Sequence, residues 1–141
     1  MDISDTLKVC GSALSAQRAR MDVITSNLAN ADVTRTAEGG PYRKKIAVLA
    51  SEKLKEGFGG TLQDAMKTVK VAEIVEDMSP PRLVHDPAHP EANANGYVAM
   101  PNVNVISEMA DLIVVGRAYE AMVTALDATK NMALKTLEIG K

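Results

Sequence analysis

The sequence predicts a mainly α-helical, elongated fold in which long N- and C-terminal helices pair as an antiparallel coiled coil beside a small, β-hairpin-like middle region. The two terminal segments contain no proline and carry apolar residues at alternating spacings of three and four, which is typical of helices that pack on helices. All six prolines lie between positions 41 and 101. Only 3% of the residues are aromatic, so aliphatic side chains must fill the interior, which favours helix-on-helix packing.

The first segment, residues 1–31, is expected to be an N-terminal assembly helix. Its seam consists of Ile3, Leu7, Cys10, Leu14, Gln17, Met21, Ile24, Leu28 and Ala31. This is a heptad row about four heptads long, and its single polar residue, Gln17, is of the kind that commonly sets register. Asp2 or Ser4 can cap the first turn. Cys10 is the only cysteine, so it forms no intrachain disulfide and is expected to act as a small buried hydrophobe.

Residues 32–101 are expected to form a loop and a small β region. Tyr42–Leu49 and Val69–Asp77 alternate apolar and polar residues in part, so both are predicted as strands. The stretch between them mixes charges with three glycines, so we expect a variable insert at about residues 51–68, with one or two helical turns at Leu62–Met66.

The end of this region is rich in proline. Met78–Ala94 contains four prolines and is therefore expected to be extended or turning. Asn95-Gly96 is a strong turn signal, after which Tyr97–Met100 is in position to close a hairpin.

Residues 102–141 are expected to be the C-terminal assembly helix, with Asn102 or Asn104 as its N-cap. Its seam consists of Val105, Met109, Leu112, Gly116, Tyr119, Val123, Leu126, Lys130, Ala133 and Leu137. A second row beside it consists of Ile106, Ile113, Met122, Ala125 and Met132. The apolar stripe is therefore wide enough to contact more than one partner helix.

The lengths of the two helices imply an assembly subunit. At ~1.5 Å per residue they are roughly 42 Å and about 50 Å long. A compact globule of this chain length has a diameter near ~37 Å, which both helices exceed. One antiparallel pair covers only part of the wide apolar stripe, so the remainder is expected to contact other copies or other proteins.

No pattern indicates a catalytic residue, a metal site, a cofactor or a small-molecule substrate. His85 and His89 have a spacing that holds zinc on a helix, but Pro87 and Pro90 exclude a helix there, so a stiff connector is expected. Nucleophile-elbow and phosphate-loop motifs do not occur. With a net charge of -2, we expect no nucleic acid partner. The basic cluster Tyr42–Lys45 is expected to be a solvated edge or a charged contact to another subunit.

The N-terminus lacks a basic region followed by a continuous apolar stretch, so no cleaved secretory signal is expected. No apolar run approaches the roughly 18 residues that a membrane span needs. The composition is typical of a cytosolic protein or of one exported without a cleaved signal.

A helix-junction motif ends the first helix and carries no metal ligand or catalytic nucleophile. It consists of Asn27, Leu28, Ala29, Asn30 and Thr34. Asn30 is suited to the left-handed residue that ends a helix, and Asn27, one turn earlier, can bond exposed backbone or a neighbouring subunit. The small Ala29 allows another helix or backbone to approach closely. For each asparagine, capping without an intersubunit contact remains an alternative.

These segments together resemble the bacterial flagellar rod and hook family of axial proteins. The stretches that carry the resemblance are SNLANADVTRT, EGGPYRKK and NVISEMADLIVVGRAYEAMVTALDATKNMALKTLEIGK. The stretch HDPAHPEANANGYVAMPNVNV is similar to the family's proximal rod members, whose length this chain also matches. Met122 departs from the family pattern, which commonly has asparagine there.

The resemblance implies a structural protein of the flagellar basal body. Family members are exported through the flagellar type III export apparatus without a cleaved signal and assemble in the periplasm. Their terminal helices pair and stack helically into a hollow rod that joins the motor's membrane ring to the hook and transmits torque. The implied partners are other copies, other rod proteins, and the adaptor at the export gate and membrane ring.

Two further classes remain as alternatives. One is another secreted coiled-coil interaction protein, which would form a closed oligomer in solution. The other is a small hydrolase or metalloprotein that uses His85 and His89, which would bind metal stoichiometrically.

Overall fold

The computed structural model describes residues 3–53 and 67–139 of the 141-residue chain. The described elements are α1 (Ile3–Ala29), β1 (Lys45–Lys53), β2 (Lys67–Glu76), β3 (Arg82–His85), β4 (Tyr97–Met100) and α2 (Val105–Ile139). Two long terminal helices with a small antiparallel β part between them confirm the predicted fold class. The helical turns predicted at Leu62–Met66 lie outside the described residues.

α1 and α2 pack against each other in opposite directions. Asn27, near the end of α1, donates a hydrogen bond to Glu108, near the start of α2, over 3.0 Å. The buried positions run from Asp5 to Asn27 on α1 and from Glu108 to Thr129 on α2. At ~1.5 Å per residue these stretches span about 33 Å and about 32 Å. They match in length, as expected when each helix covers the other.

The inward face of α2 contains half of the predicted seam, since the seam residues Leu112, Gly116, Tyr119, Leu126 and Ala133 are half-buried. The buried and half-buried row consists of Glu108, Leu112, Val115, Tyr119, Met122, Leu126, Thr129 and Ala133. Seam residues that are instead exposed in the isolated chain are Val105, Met109, Val123, Lys130 and Leu137. Apolar periodicity found Leu112, Tyr119, Leu126 and Ala133 of this row. It missed Glu108 and Thr129, because these two buried members are polar. The role of the exposed seam residues in subunit packing stays a prediction.

α1 likewise turns a different row inwards. Its buried residues are Asp5, Ala16, Val23, Ile24 and Asn27, of which Ile24 alone belongs to the predicted seam. The described seam residues that are half-buried are Cys10, Leu14, Gln17, Met21 and Leu28, while Leu7 is exposed. The side chain of Ile3 lies outside the described part of the chain. Several of the inward positions carry small or polar residues, so the spacing of large apolar residues does not predict them.

β1 and β2 form an antiparallel hairpin that packs on α1. The pairing runs from Lys45–Glu76 to Lys53–Lys67, with an irregularity between Val48 and Leu49. β1 therefore begins three residues later than predicted, and both strands extend into the predicted insert. The strands continue there because backbone pairing needs no apolar side chain. An exposed ion pair between Lys70 and Glu52, 2.8 Å apart, also links the two strands.

β3 and β4 form a second, shorter hairpin, with β4 at the predicted Tyr97–Met100. Its first strand, Arg82–His85, lies within the proline-rich stretch that was expected to be extended. The loop between the strands closes through the amide of Asp86, which donates to the carbonyl of Gly96 over 2.9 Å. Gly96 has a φ of 77°, so the predicted turn at this glycine is confirmed.

Replacing Gly96 by alanine should destabilise this hairpin. A Cβ there would lie 3.1 Å from Cγ of Pro87 and 3.2 Å from Nε2 of His85, and the positive φ is unfavourable for alanine. We expect Gly96→Ala to lower the free energy of unfolding by about 1–2 kcal/mol, measured by urea denaturation. Amide hydrogen exchange at Asp86 should also accelerate.

The control is Gly116→Ala in α2, where a Cβ would meet nothing within 4 Å. This change should raise the free energy of unfolding by about 0.4–1 kcal/mol, because alanine loses less conformational freedom in a helix. Equal effects of the two substitutions would contradict the strain assigned to Gly96.

Candidate functional site

The end of α1 is joined to β1 and α2 through the side chain of Asn27, which is 1% exposed. Its Nδ2 donates to the carbonyl oxygen of Lys45 over 2.9 Å and to Oε2 of Glu108 over 3.0 Å. Its Oδ1 accepts from the Tyr42 hydroxyl over 3.0 Å and from the Lys45 amide over 2.9 Å. A side-chain amide has two N–H donors and two acceptor positions, and all four are used here.

Glu108 is the second buried member of this junction and is also 1% exposed. The Nζ of Lys44 lies 2.6 Å from its Oε1, while its Oε2 accepts the hydrogen bond from Asn27. Burial of an unpaired carboxylate is strongly unfavourable, so the lysine and the amide together make this position tolerable. The ammonium of Lys44 remains partly open to solvent.

Asn102 extends the junction to the start of α2. Its Oδ1 accepts the backbone amide of Lys44 over 2.9 Å, and its Nδ2 donates to the carbonyl of Asp77 over 3.4 Å. The amide of Asp77 donates to the carbonyl of Lys44 over 2.8 Å. Of the two predicted caps, Asn104 is the N-cap, because its Oδ1 accepts the amide of Ser107 over 3.2 Å. Asn102 is not the cap, since its side chain is engaged by Lys44.

The carboxylate of Asp77 is held at the edge of this network. The hydroxyl of Ser79 donates to Oδ1 over 2.6 Å, and the amide of Ser79 donates to the same atom over 2.9 Å. These two hydrogen bonds, the hydroxyl first, lower the pKa of Asp77 below its ordinary value. Asp77 therefore stays ionised beside the junction.

A small apolar cluster lies beneath the polar contacts. It consists of Ala31, Tyr42 and Val103, with Val33 packed against it. The amide of Tyr42 donates to the carbonyl of Val33 over 3.0 Å, which fixes the loop that leaves α1. The Tyr42 ring is thus buried among aliphatic side chains while its hydroxyl reaches Asn27. Tyr42 therefore contributes both a buried apolar ring and a hydrogen bond to the junction.

The two asparagines of the predicted junction motif have different roles. Asn27 bonds the backbone of its own chain, which is one of the two partners predicted for it. Asn30 does not adopt the predicted left-handed conformation, since no described residue other than glycine has a positive φ. Its Nδ2 donates instead to the carbonyl of Ser26 over 2.8 Å, one helical turn earlier, so the side chain caps a carbonyl without reversing the backbone.

For the other three members of the helix-junction motif, the structure gives the degree of burial. Leu28 and Thr34 are half-buried, and Ala29 is exposed. Their part in subunit contacts stays a prediction. The basic cluster was expected to be a solvated edge or a charged contact to another subunit. Tyr42 is instead buried, and Lys44 pairs with Glu108 of its own chain, so the expectation is wrong for these two residues.

Sequence reasoning missed Glu108 and Lys44 as a pair. Glu108 is an acid in the first turn of α2, where a favourable interaction with the helix dipole is the ordinary expectation. A usable signal was its position: it lies in the heptad row of Val115 and Met122, at a spacing of seven. A charged residue in such a row needs a buried partner.

The arrangement holds α1, β1 and α2 in position through hydrogen bonds and an ion pair. His85 contacts the edge of the Tyr97 ring, with centroids 5.1 Å apart, and Nδ1 of His89 accepts the Glu91 amide over 3.1 Å. Among the described residues, no group of three or more His, Cys, Asp or Glu is arranged to hold a metal ion. None of the described helices combines the length and apolarity needed to cross a membrane.

Comparison with known proteins identifies the family. Residues 7–35 match the family model described as flagella basal body rod protein, and residues 94–139 match that of flagellar basal body rod FlgEFG protein C-terminal. The chain is 50% identical to flagellar basal-body rod protein FlgC of Bacillus subtilis, over 96% of this chain and 97% of that protein. The FlgC proteins of Salmonella typhimurium and Borreliella burgdorferi are 41% and 38% identical, over 98–100% of both chains.

The chain belongs to the FlgC family of flagellar basal-body rod proteins. It is therefore a structural subunit of the basal-body rod. The family models match the two ends of the chain that contain α1 and α2, and the first of them includes the whole Asn27–Asn30 stretch. A secreted coiled-coil protein outside the flagellum is not favoured.

Asn27 should be essential for the stability of the rod subunit. Asn27→Asp keeps the shape but removes both donors and places a carboxylate beside that of Glu108. We expect the free energy of unfolding to fall by about 3 kcal/mol or more, measured by urea denaturation followed by circular dichroism.

The matched control is Asn30→Asp, at the same helix end. The Ser26 carbonyl that loses this side-chain donor still accepts the Asn30 amide. The loss should be no more than about 1 kcal/mol. An equal loss at both asparagines would show that the four-bond arrangement of Asn27 is not what stabilises the junction.

Lys44 and Glu108 should be energetically coupled. Lys44→Met leaves a buried carboxylate without its counter-charge and should cost about 3 kcal/mol. In Lys44→Met/Glu108→Gln the charge is also gone, so the double variant should recover at least about 1 kcal/mol relative to the summed single effects.

The same cycle at Lys70 and Glu52, which are both 56% exposed, provides the control. That surface pair should show a coupling of about 0.5 kcal/mol or less. Strictly additive effects of Lys44→Met and Glu108→Gln would refute the coupling.

Proposed function

We propose that the subunit polymerises helically through its terminal helices into the proximal rod. This assembly would link the motor membrane ring to the distal rod and hook, transmit torque and enclose the export channel. The observation that carries the proposal is an exposed apolar surface at the start of α2. It consists of Val105, Ile106, Met109, Ile113 and Val114, whose side chains are between 43% and 82% exposed.

This surface supports assembly because it faces away from the helix that already covers α2. The inward row of α2 begins at Glu108, whereas Ile106, Met109 and Ile113 follow one another at spacings of three and four on another face. Apolar patches of this kind on a soluble protein mark interaction sites. Burying them against neighbouring helices contributes roughly 25 cal/mol per Å² of apolar surface.

The junction supports the transmission of torque. A subunit that passes on a twisting force must keep its helices and its β hairpins at fixed angles. Asn27, Lys44 and Glu108 tie α1, the start of β1 and the start of α2 together through short, buried contacts. Such a network rigidifies the place where these elements meet.

The proposal includes the route and the partners of the subunit. We infer export through the flagellar type III apparatus without a cleaved signal peptide, followed by assembly in the periplasm. The partners are other copies, other rod proteins, and the adaptor that connects the rod to the export gate and the MS ring. Catalysis, cofactors, small-molecule substrates and nucleic acid have no part in the proposal.

A substitution on the exposed surface separates folding from assembly. Ile113 is 64% exposed, so Ile113→Asp should change the free energy of unfolding of the isolated subunit by less than about 0.5 kcal/mol. The charge should nevertheless prevent burial against a neighbour. We expect cells that carry only this variant to lose swimming motility and to lack complete rods by electron microscopy.

Thr124→Asp is the control, because Thr124 is exposed, polar and on the same helix. Cells with this variant should remain motile. Normal rods in the Ile113→Asp strain would exclude this part of α2 from assembly, and export of the variant should be verified by its presence in the periplasmic fraction.

A further inference from the structure

The loop between β3 and β4 contains Asn95, the only asparagine in the sequence that glycine follows. In such a pair, the amide nitrogen of the glycine can attack the side-chain Cγ of the asparagine, because glycine has no side chain that hinders the approach. The attack forms a succinimide ring and releases ammonia. Water then opens the ring at either carbonyl and gives aspartate or isoaspartate. Asn95 is exposed, so water reaches this side chain.

In the folded subunit, hydrogen bonds hold both peptide groups of Gly96. Its amide, which would be the attacking group, donates to the carbonyl oxygen of Asn93 over 2.9 Å. The nitrogen must lose its proton before it can attack, and this hydrogen bond stabilises the protonated form. The carbonyl of Gly96 accepts the amide of Asp86, also over 2.9 Å. Ring closure therefore requires the loop to open.

Asn93 makes most of the contacts that close the loop. Its Oδ1 accepts the amide of Asn95 over 2.9 Å and that of Tyr97 over 3.0 Å. Its own amide donates to the carbonyl of Tyr97 over 2.9 Å, and its carbonyl accepts the amide of Gly96. Removal of the Asn93 side chain thus eliminates two hydrogen bonds at the turn and favours the open form of the loop.

We propose that Asn95 is a site of spontaneous deamidation and that Asn93 keeps the reaction slow in the folded subunit. The reaction needs only water. A bond forms between the Gly96 nitrogen and Cγ of Asn95, the Cγ–Nδ2 bond breaks, and ammonia leaves with the proton of the Gly96 amide. Hydrolysis of the ring then adds water, without oxidation or reduction. This inference does not rest on the proposed function, because it concerns the isolated subunit.

The two products have different effects on the hairpin. Aspartate leaves the main chain as it was, so Asn93 keeps its contacts to the amides of residues 95 and 97. Isoaspartate leads the main chain through its own Cβ and thus adds a carbon atom to the chain before Gly96. The pairing of His85 with Tyr97 borders this loop, and a longer loop no longer fits it. Isoaspartate should therefore break the hydrogen bond from Asp86 to Gly96 and fray this end of the hairpin.

Comparison of the folded subunit with the chain unfolded in urea tests the proposal. Both samples are incubated at the same pH and temperature, and the peptide that contains residue 95 is quantified by mass spectrometry. Isoaspartate is detected with protein isoaspartyl methyltransferase. We expect deamidation to be at least about tenfold slower in the folded subunit, because it proceeds only from the open loop. Asn131 is exposed in α2 and precedes methionine, so it is the internal control and should remain an amide.

Substitutions at residue 93 test its role in this protection. Asn93→Ala should raise the rate at Asn95 in the folded subunit by about fivefold or more, since two hydrogen bonds are lost, and should leave the rate in urea unchanged. Asn93→Asp retains the accepting Oδ1 and should keep the slow rate of the unmodified sequence. Asn95→Gln should give no product at residue 95, which confirms the modified residue.

Each part of the proposal has an outcome that contradicts it. Equal rates in the folded and unfolded samples would overturn the protection by the loop, and absence of product at Asn95 in urea would overturn the site itself. An unchanged rate in Asn93→Ala would overturn the role of Asn93. If Asn93→Ala does not fold, amide hydrogen exchange at Gly96 in the unmodified subunit is measured instead. Its protection factor should equal the ratio of the two deamidation rates within about tenfold, and a larger difference would overturn the protection.

Discussion

The fold depends on one buried amide group. Asn27 has a single orientation in which both of its donors and both of its acceptor positions are used, and that orientation requires α1, the 42–45 segment and the start of α2 to lie where they do. The amide thus fixes the rotation of α1 about its axis and the direction in which the chain leaves it. Once these are set, Glu108 needs a counter-charge, and Lys44 at the start of the β region supplies it. Helix pairing and hairpin position are therefore consequences of one local requirement.

Much of the architecture was predictable because it depends on local rules. The absence of proline and the spacing of apolar residues predicted both long helices, and Asn95-Gly96 marked the turn before β4. The inward faces were predictable from apolar spacing only in part, because α1 and α2 also meet through the polar residues Asn27, Glu108 and Thr129. The β1–β2 hairpin extends further than its side chains suggest, since backbone hydrogen bonds hold its polar outer part.

The site itself was half predictable. The Asn-Leu-Ala-Asn ending of α1 predicted that the Asn27 amide bonds exposed backbone or a neighbouring subunit, and the structure has the backbone contact. Its actual partners come from two segments, residues 42–45 and Glu108, which are far apart in the chain, and no local pattern carries that information. Asn30 shows the opposite failure: an asparagine after a helix predicted a left-handed turn, but its side chain satisfies a helical carbonyl and the backbone has no need to reverse. Residue propensities identify which residues can end a helix or bond the backbone. Tertiary contacts decide which of these roles a given residue has.

The separation of the junction's members along the chain has a consequence for timing. Asn27 and Glu108 are 81 residues apart in sequence, so their contact closes a loop that contains both β hairpins. Loop closure of this kind costs entropy that is recovered only when both ends are present and free to meet. A chain that emerges from a confined passage one end at a time cannot complete its native packing until the second helix has been released. Until then, the long amphipathic segment that emerges first remains available to other chains, and the order of release limits when a subunit becomes committed to its own fold.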